Sequence, residues 1–145
     1  MGFMVDAVHY AVAIESVREI INPLPIIPLP HAPVAVLGLA DHRGEAIPIV
    51  DLRSRLGLPK APPTRRTKWI LVMGNKGPVG LVVDGVTEVF GPAEGAERAI
   101  PELGLGDRAR GLSAVFGREG GLVYVIDVPR MTAGAGSLAT LPEGM

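Results

Sequence analysis

The sequence contains no cysteine, few aromatic residues and no long uninterrupted apolar run. Without cysteine, disulfides, thiolate nucleophiles and cysteine-based metal sites are excluded. With only three Phe, two Tyr and one Trp, the core must be mostly aliphatic. Pro or Gly interrupts every apolar run well before the roughly 20 residues that a membrane helix needs, and the first residues lack the pattern of a signal peptide. A soluble cytoplasmic protein is therefore expected.

Charge is nearly balanced, with 14 Lys and Arg against 15 Asp and Glu and a formal net charge of -1. This balance gives no general attraction to nucleic acid or to anionic membranes. A small basic run stands out at Lys60, Arg65, Arg66 and Lys68. A solvated linker is the simplest interpretation of this run, and an acidic partner or RNA remains the alternative.

Glycine and proline are abundant, with 19 and 14 residues among 145. Many short Val, Ile and Leu runs lie between them, a pattern that favours an all-β barrel or sandwich. Five prolines in residues 22–33 predict an edge segment, because proline cannot donate to a ladder. Asp51 and Asp127 each follow an apolar strand and are predicted to cap short helical turns.

Two halves of the chain share the same order of features, which indicates an internal repeat. The paired features are Val17 to Ile20 with Val86 to Val89, Gly38-Leu39 with Gly111-Leu112, and Asp51 with Asp127. Each half is small, so the two are expected to pack together with a groove between them. We predict a first barrel over residues 1–62, a second over 63–131, and a disordered tail over 132–145.

The stretch from Pro33 to Gly44, followed by Ile47-Pro48-Ile49-Val50-Asp51-Leu52-Arg53, resembles the hallmark of CheW-like domains. Further similarity lies at residues 10–20, 79–89 and 111–127, so the resemblance covers roughly residues 5–131. It implies two five-stranded SH3-like barrels related by a pseudo-two-fold, with short helical turns. It also implies a non-enzymatic adaptor that links chemoreceptor cytoplasmic tips to the regulatory domain of a CheA-type histidine kinase.

Site residues follow from the resemblance, position by position. Arg43 matches the turn arginine that faces the receptor in the family, and Val17 and Ile14 match apolar receptor-contact positions. Glu19 and Ile26 are expected on the same side, where an apolar floor and an arginine would suit a docked helix. The strand at Lys68, Trp69 and Ile70 matches an edge region that meets the kinase.

The sequence departs from the family pattern at three places. Asp41-His42 replaces the usual Asn-Leu of the turn, and Lys68 replaces a residue that is usually apolar. The first hairpin, residues 5–10, looks clipped, so the first barrel is expected to lack a full first strand. These differences raise the alternative of a divergent paralogue that binds a receptor without coupling to the kinase.

Two other classes of function have less support in the sequence. Small barrels bind nucleic acid through aromatic side chains in a basic patch, and this chain has six aromatics and a balanced charge. An enzyme would need a nucleophile–base pair, a metal set or a phosphate loop, and none is visible. His9, His31 and His42 lack metal-ligand spacing, so we predict no metal, no cofactor and no catalytic residue.

Overall fold

The computed structural model describes residues 1–33, 35–87, 97–99, 111–118 and 121–133. Within these ranges the chain forms strands, two one-turn α-helices, α1 (Leu52–Arg55) and α2 (Val128–Met131), and a 3₁₀ turn (Ile14–Ser16). None of the helices in these ranges is long and apolar enough to cross a bilayer. The strands are β1 (Gly2–Val5), β2 (Val8–Ala11), β3 (Val17–Ile21), β4 (Val36–His42), β5 (Glu45–Asp51), β6 (Lys68–Gly74), β7 (Gly77–Val83), β8 (Gly85–Val86), β9 (Glu97–Ala99), β10 (Leu112–Arg118) and β11 (Gly121–Ile126).

The strands form two sheets that have the same internal order. One sheet has five strands in the order β3-β6-β7-β5-β4, and the other has six in the order β8-β1-β2-β11-β10-β9. In each sheet one neighbouring pair is parallel, β5 with β7 and β2 with β11, and the other pairs are antiparallel. Five strands of the six-stranded sheet thus repeat the five-stranded one, and β9 is added at the edge. The predicted all-β fold built from a repeat is confirmed.

The predicted division of the chain at residue 62 does not separate the two sheets. The first hairpin, β1–β2, pairs with β8 and β11 from the second half, and the hairpin β6–β7 pairs with β3 and β5 from the first. A sequence repeat fixes the order of its units but not which copies pair with each other. Each sheet therefore takes one hairpin from the other half of the chain.

The first hairpin is complete, and the prediction that it is clipped is wrong. Four pairs join β1 to β2, and the two-residue turn at Asp6 and Ala7 has φ values of 51° and 63°. Such a turn matches the twist of the flanking strands. The prediction began the hairpin at residue 5, whereas its first strand begins at Gly2. The tail predicted for residues 132–145 lies, from residue 134 onward, outside the described residues.

Both predicted helix caps are present. The Asp51 side chain accepts a hydrogen bond from the Arg53 amide at 3.1 Å, and Asp127 accepts one from the Arg130 amide at 3.2 Å. These bonds satisfy amides that the first helical turn leaves without an intrahelical partner. The hairpins that precede the two caps, β4–β5 and β10–β11, also match, because β4 and β10 each contain a register shift near their starts. Local chemistry thus repeats together with topology.

The largest apolar cluster lies between the two sheets and belongs to both. Phe3 and Val5 of the six-stranded sheet meet Ile70, Val72 and Leu81 of the five-stranded sheet, all with no exposed surface. Burial of each such side chain stabilises the fold by roughly 1.5–3 kcal/mol. A second cluster fills the five-stranded sheet's other face, formed by Ala40, Ile47, Ile49, Trp69 and Leu71. The strand β6 is therefore buried on both faces.

An ion pair connects β3 to β5 of the five-stranded sheet, and a backbone bridge joins the proline-rich segment to β4. Arg18 next to Glu19 on β3 forms an ion pair of 3.0 Å with Glu45 on β5. The proline-rich segment 22–33 borders β4, where Ile27 and Leu39 exchange backbone hydrogen bonds of 2.7 and 2.9 Å. This segment thus forms the edge that its prolines predict.

We expect Gly38→Ala to lower the free energy of unfolding by about 2–4 kcal/mol. Gly38 has a φ of +149°, and a Cβ there would clash with the carbonyl oxygen of Ile27. Urea unfolding measures the change, with Gly117→Ala as the matched control because nothing lies within 4 Å of a Cβ at Gly117. Equal stabilities for the two variants would show that the contact with Ile27 is not a constraint.

Candidate functional site

Arg43 lies at the tip of the β4–β5 hairpin in a backbone conformation that arginine rarely adopts. Its φ is 54° and that of Gly44 is 82°, and the Asp41 carboxylate accepts a hydrogen bond of 2.9 Å from the Gly44 amide. Asn or Gly is preferred in such turns, because other L-residues are strained by about 1–2 kcal/mol. The Arg43 side chain is 76% exposed. A strained position occupied by an exposed arginine points to a role for the side chain rather than for the turn.

Glu19 holds this arginine in place. Its carboxylate lies 3.1 Å from the Arg43 guanidinium and 3.1 Å from Nε2 of His42. The hydrogen bond with His42 lowers the pKa of Glu19, and the charges of Arg43 and Arg18 act in the same direction. The carboxylate is therefore ionised at neutral pH and limits the positions open to Arg43. The sequence pointed to His42 as a departure from the family turn and as a histidine without metal-ligand spacing, and it did not predict the bond to Glu19.

A register shift in β3 separates the predicted receptor residues onto two faces. Val17 lies opposite Val72 and Glu19 lies opposite Leu71, which are consecutive residues of β6. Because cross-strand partners share a face and consecutive residues alternate, Val17 and Glu19 face opposite sides of the sheet. Val17 packs on the cluster between the sheets, and Glu19 faces the hairpin tip.

The other two predicted receptor residues lie apart from each other. Ile14 is in the 3₁₀ turn directly before β3 and is 48% exposed. Ile26 packs on the cluster inside the five-stranded sheet and lines a cleft of about 410 Å³ together with Trp69. The structure thus pairs Arg43 with Glu19 and places Ile14 and Val17 at the start of β3. Ile26 lies near neither of these two groups.

The predicted kinase strand is not an edge. It is part of β6, which pairs with β3 on one side and β7 on the other. Trp69 is 2% exposed and Ile70 has no exposed surface, so both belong to the core, and Lys68 is half-buried at the start of the strand. The continuous apolar run from 69 to 73 is typical of a strand buried on both faces, and this signal could have corrected the assignment.

Arg53 joins three separate segments, an arrangement that the sequence did not reveal. Its Nε and one terminal nitrogen donate to the two carboxylate oxygens of Asp84 at 3.2 and 2.6 Å. Its other terminal nitrogen lies 3.4 Å from the Asp6 carboxylate and donates to the Pro59 carbonyl at 3.2 Å. Helix α1 is thereby tied to the β1–β2 turn and to the link between β7 and β8.

The pKa of Asp84 is set by opposing effects. Partial burial raises it, but the hydrogen bonds from Arg53 and from the Asp6 amide, with the charge of Arg53, outweigh burial and leave the pKa below its usual value. The same hydrogen bond raises the pKa of Arg53. Both groups are charged at neutral pH, and the bidentate geometry favours a stronger pair than a single contact would give.

Metal binding finds no support in the part of the chain that the structure describes. No group of three or more His, Asp or Glu side chains is close enough there to hold a metal ion. His42 is bonded to Glu19, whereas His9 is exposed on β2 and His31 lies in a turn with a φ of 60°. Asp51 and Asp127 bond the amides of their own helices.

We expect Asp84→Asn to lower the free energy of unfolding by about 1 kcal/mol at pH 7. Because folding depresses the pKa of Asp84, its contribution is present above the unfolded value of about 3.9 and is lost as pH falls below it. The gap between wild type and variant should therefore shrink below about pH 4, as urea unfolding at a series of pH values would measure.

Glu45→Gln is the control for that measurement, because the Arg18–Glu45 pair is 43% exposed on both sides. An exposed pair of this kind should contribute at most about 0.5 kcal/mol. If the two variants lost equal stability at every pH, Arg53 would not be tying its three segments together.

Several known proteins are similar to this chain. A family model described as "CheW-like domain" matches residues 1–135. The chain is 36% identical over 121 residues to the chemotaxis protein CheW of Rhizobium meliloti (strain 1021), covering 81% of this chain and 78% of that protein. It is 26% identical over 141 residues to the chemotaxis protein CheW of Bacillus subtilis (strain 168), covering 97% and 90%.

A solved structure shows the same fold. The crystal structure of the scaffolding protein TtCheW from Thermoanaerobacter tengcongensis superposes with a TM-score of 0.83 at 24% identity, covering 93% of this chain and 92% of that one. The family match extends over the first hairpin, the Arg43 turn and both sheets. This chain belongs to the family of CheW-like domains.

Proposed function

We propose that this chain is a cytoplasmic, non-enzymatic adaptor of a chemosensory system, linking chemoreceptor cytoplasmic tips to a CheA-type histidine kinase. The observation that carries the proposal is the match of a CheW-like domain to residues 1–135. The names of its relatives, chemotaxis proteins from several bacteria, support the same assignment. An adaptor needs two separate contact surfaces, and we assign both to the five-stranded sheet, one at the tip of the β4–β5 hairpin and the other at the start of β6.

The receptor contact is centred on Arg43. Its guanidinium is exposed at a hairpin tip and oriented by Glu19, so little side-chain freedom is lost when it meets a partner. Ile14 and Val17 supply apolar surface at the start of β3, and Ile14 is 48% exposed. An apolar surface with an oriented arginine suits a helical receptor tip, whose carboxylates the arginine can bond. Ile26 lies inside the five-stranded sheet and contributes through packing.

The kinase contact is placed on the surface at Lys68. Trp69 and Ile70 lie beneath this surface as core residues and fix the strand that carries Lys68. A half-buried lysine gives a contact that is more polar than an apolar residue would give, which lowers affinity for an apolar kinase surface. The alternative is a paralogue that binds the receptor and leaves the kinase unbound.

We expect Arg43→Ala to weaken binding of a receptor cytoplasmic tip fragment by about tenfold and to leave binding of the kinase regulatory domain unchanged. Both affinities can be measured by isothermal titration calorimetry with the purified chain. Lys76→Ala is the matched control, because Lys76 is also an exposed cation at a hairpin turn, between β6 and β7.

Binding of the receptor alone would support the paralogue alternative. If neither fragment binds at high concentration, the proposed adaptor function is wrong. If Lys76→Ala weakens receptor binding as much as Arg43→Ala does, the contact is a general effect of charge and not a site at the β4–β5 turn.

A further inference from the structure

The basic run before β6 forms an ordered turn. The Thr64 amide donates to the Thr67 hydroxyl at 2.8 Å, the Thr67 amide donates to the Thr64 carbonyl at 3.2 Å, and the Arg66 amide donates to the Thr64 hydroxyl at 3.1 Å. Thr67 is buried beneath the turn, while Arg65 and Arg66 at its tip are exposed. The two threonines therefore fix the backbone of two adjacent arginines, which a solvated linker would not require.

A cleft of about 580 Å³ lies beside this turn. Its apolar surface comes from Met4 and Ala7 of the first hairpin and from Val86 of β8. Three cations lie around it, namely Arg65 and Arg66 of the turn and Lys68, the first residue of β6. Asp84, Gly85 and Thr87 also line the cleft. The cleft thus combines a small apolar surface with a cluster of positive charge.

Within the described part of the chain, ion pairs do not neutralise this positive charge. Asp84, the one acidic residue among the described residues that line the cleft, already accepts hydrogen bonds from Arg53 and from the Asp6 amide. Among the described residues, Arg65 and Arg66 take part in no ion pair, and Lys68 bonds only the Arg65 carbonyl at 3.4 Å. With a net charge of -1 for the whole chain, this excess is local.

The adjoining strand has a side without a strand neighbour. In the described part of the chain β8 is the last strand of its sheet and pairs only with β1. An extended peptide can add to such a strand through backbone hydrogen bonds while its side chains meet the neighbouring surface. Here the neighbouring surface is the basic turn, because Arg66 lies close to Gly85 of β8.

We propose that the Thr64–Thr67 turn and its cleft bind an extended acidic segment of a partner protein. Acidic side chains would pair with Arg65 and Arg66, and an apolar residue of the segment would contact Met4 and Val86. Nucleic acid is less suited to this surface, because none of the described residues that line the cleft is aromatic and bases bind such surfaces by stacking. The proposal is independent of the receptor contact at Arg43 and shares only Lys68 with the kinase contact.

The test titrates the full chain with a fluorescein-labelled peptide of about ten residues that alternates Glu with Val, and with its Gln analogue, by fluorescence anisotropy. We expect a dissociation constant of tens of micromolar, roughly, for the acidic peptide at low salt, weakening steeply as salt is added. Reversing two charges at the site, Arg65→Glu with Arg66→Glu, should weaken binding by at least about tenfold. Lys76→Glu, at a remote turn, should leave it unchanged.

Thr64→Ala tests the turn itself, because it keeps every charge and removes the hydroxyl that bonds the Arg66 amide. We expect affinity to fall by about two- to threefold with the same salt dependence. Equal binding of the Glu and Gln peptides, or an equal loss in Lys76→Glu, would overturn the proposal. Displacement of the peptide by a single-stranded oligonucleotide at lower concentration would assign the surface to nucleic acid instead. Lys68 is unchanged in every variant, and the peptide titration does not involve the kinase. Failure of a kinase fragment to bind would therefore not alter the result for the Thr64–Thr67 turn.

Discussion

Two parallel strand pairs, β5 with β7 and β2 with β11, hold the two halves of the chain together. Each pair joins a strand of one half to the exchanged hairpin of the other, so neither sheet exists without residues from both halves. The cluster between the sheets depends on this exchange, because Phe3 and Val5 come from the first hairpin and Ile70 and Val72 from the other one. The β4–β5 hairpin and the Thr64–Thr67 turn both adjoin strands of the sheets that this exchange forms.

The ionic contacts act on top of this framework rather than in place of it. Arg53 binds Asp84 and Asp6 at the point where the first hairpin meets the other half, so it reinforces the exchange locally. Glu19 acts differently, because it orients Arg43, whose side chain is 76% exposed. Arg53 and its two carboxylate partners hold segments together, whereas the Glu19–Arg43 pair presents a positive charge to solvent.

Features set by neighbouring residues could be predicted from the sequence. The caps at Asp51 and Asp127 and the turn at Arg43-Gly44 depend on a few adjacent positions, and the structure contains them as expected. Strand pairing depends on distant residues, and a repeat is equally compatible with separate or exchanged halves. The boundary at residue 62 was wrong for that reason, although the repeat itself was right.

Candidate site residues depend on contacts between distant parts of the chain. Arg43 and Glu19 were named from the resemblance, and they form a pair although 24 residues separate them. Trp69 was assigned to the kinase contact from the resemblance, although the apolar run that contains it is typical of a strand buried on both faces. Arg53 was missed because its partners, Asp84 and Asp6, are far away in the sequence and meet only after both sheets form.

The exchange of hairpins also bears on how the chain is synthesised. The first hairpin leaves the ribosome long before β8 and β11, the strands that flank it in the finished sheet. Until they arrive, its edges are open to other nascent chains, which is the usual hazard of pairing between distant segments. Each of its strands has only four residues, and short strands are poor templates for unwanted pairing. The short strands of this hairpin thus limit unwanted pairing before the sheet closes, and they also supply core residues such as Phe3 and Val5.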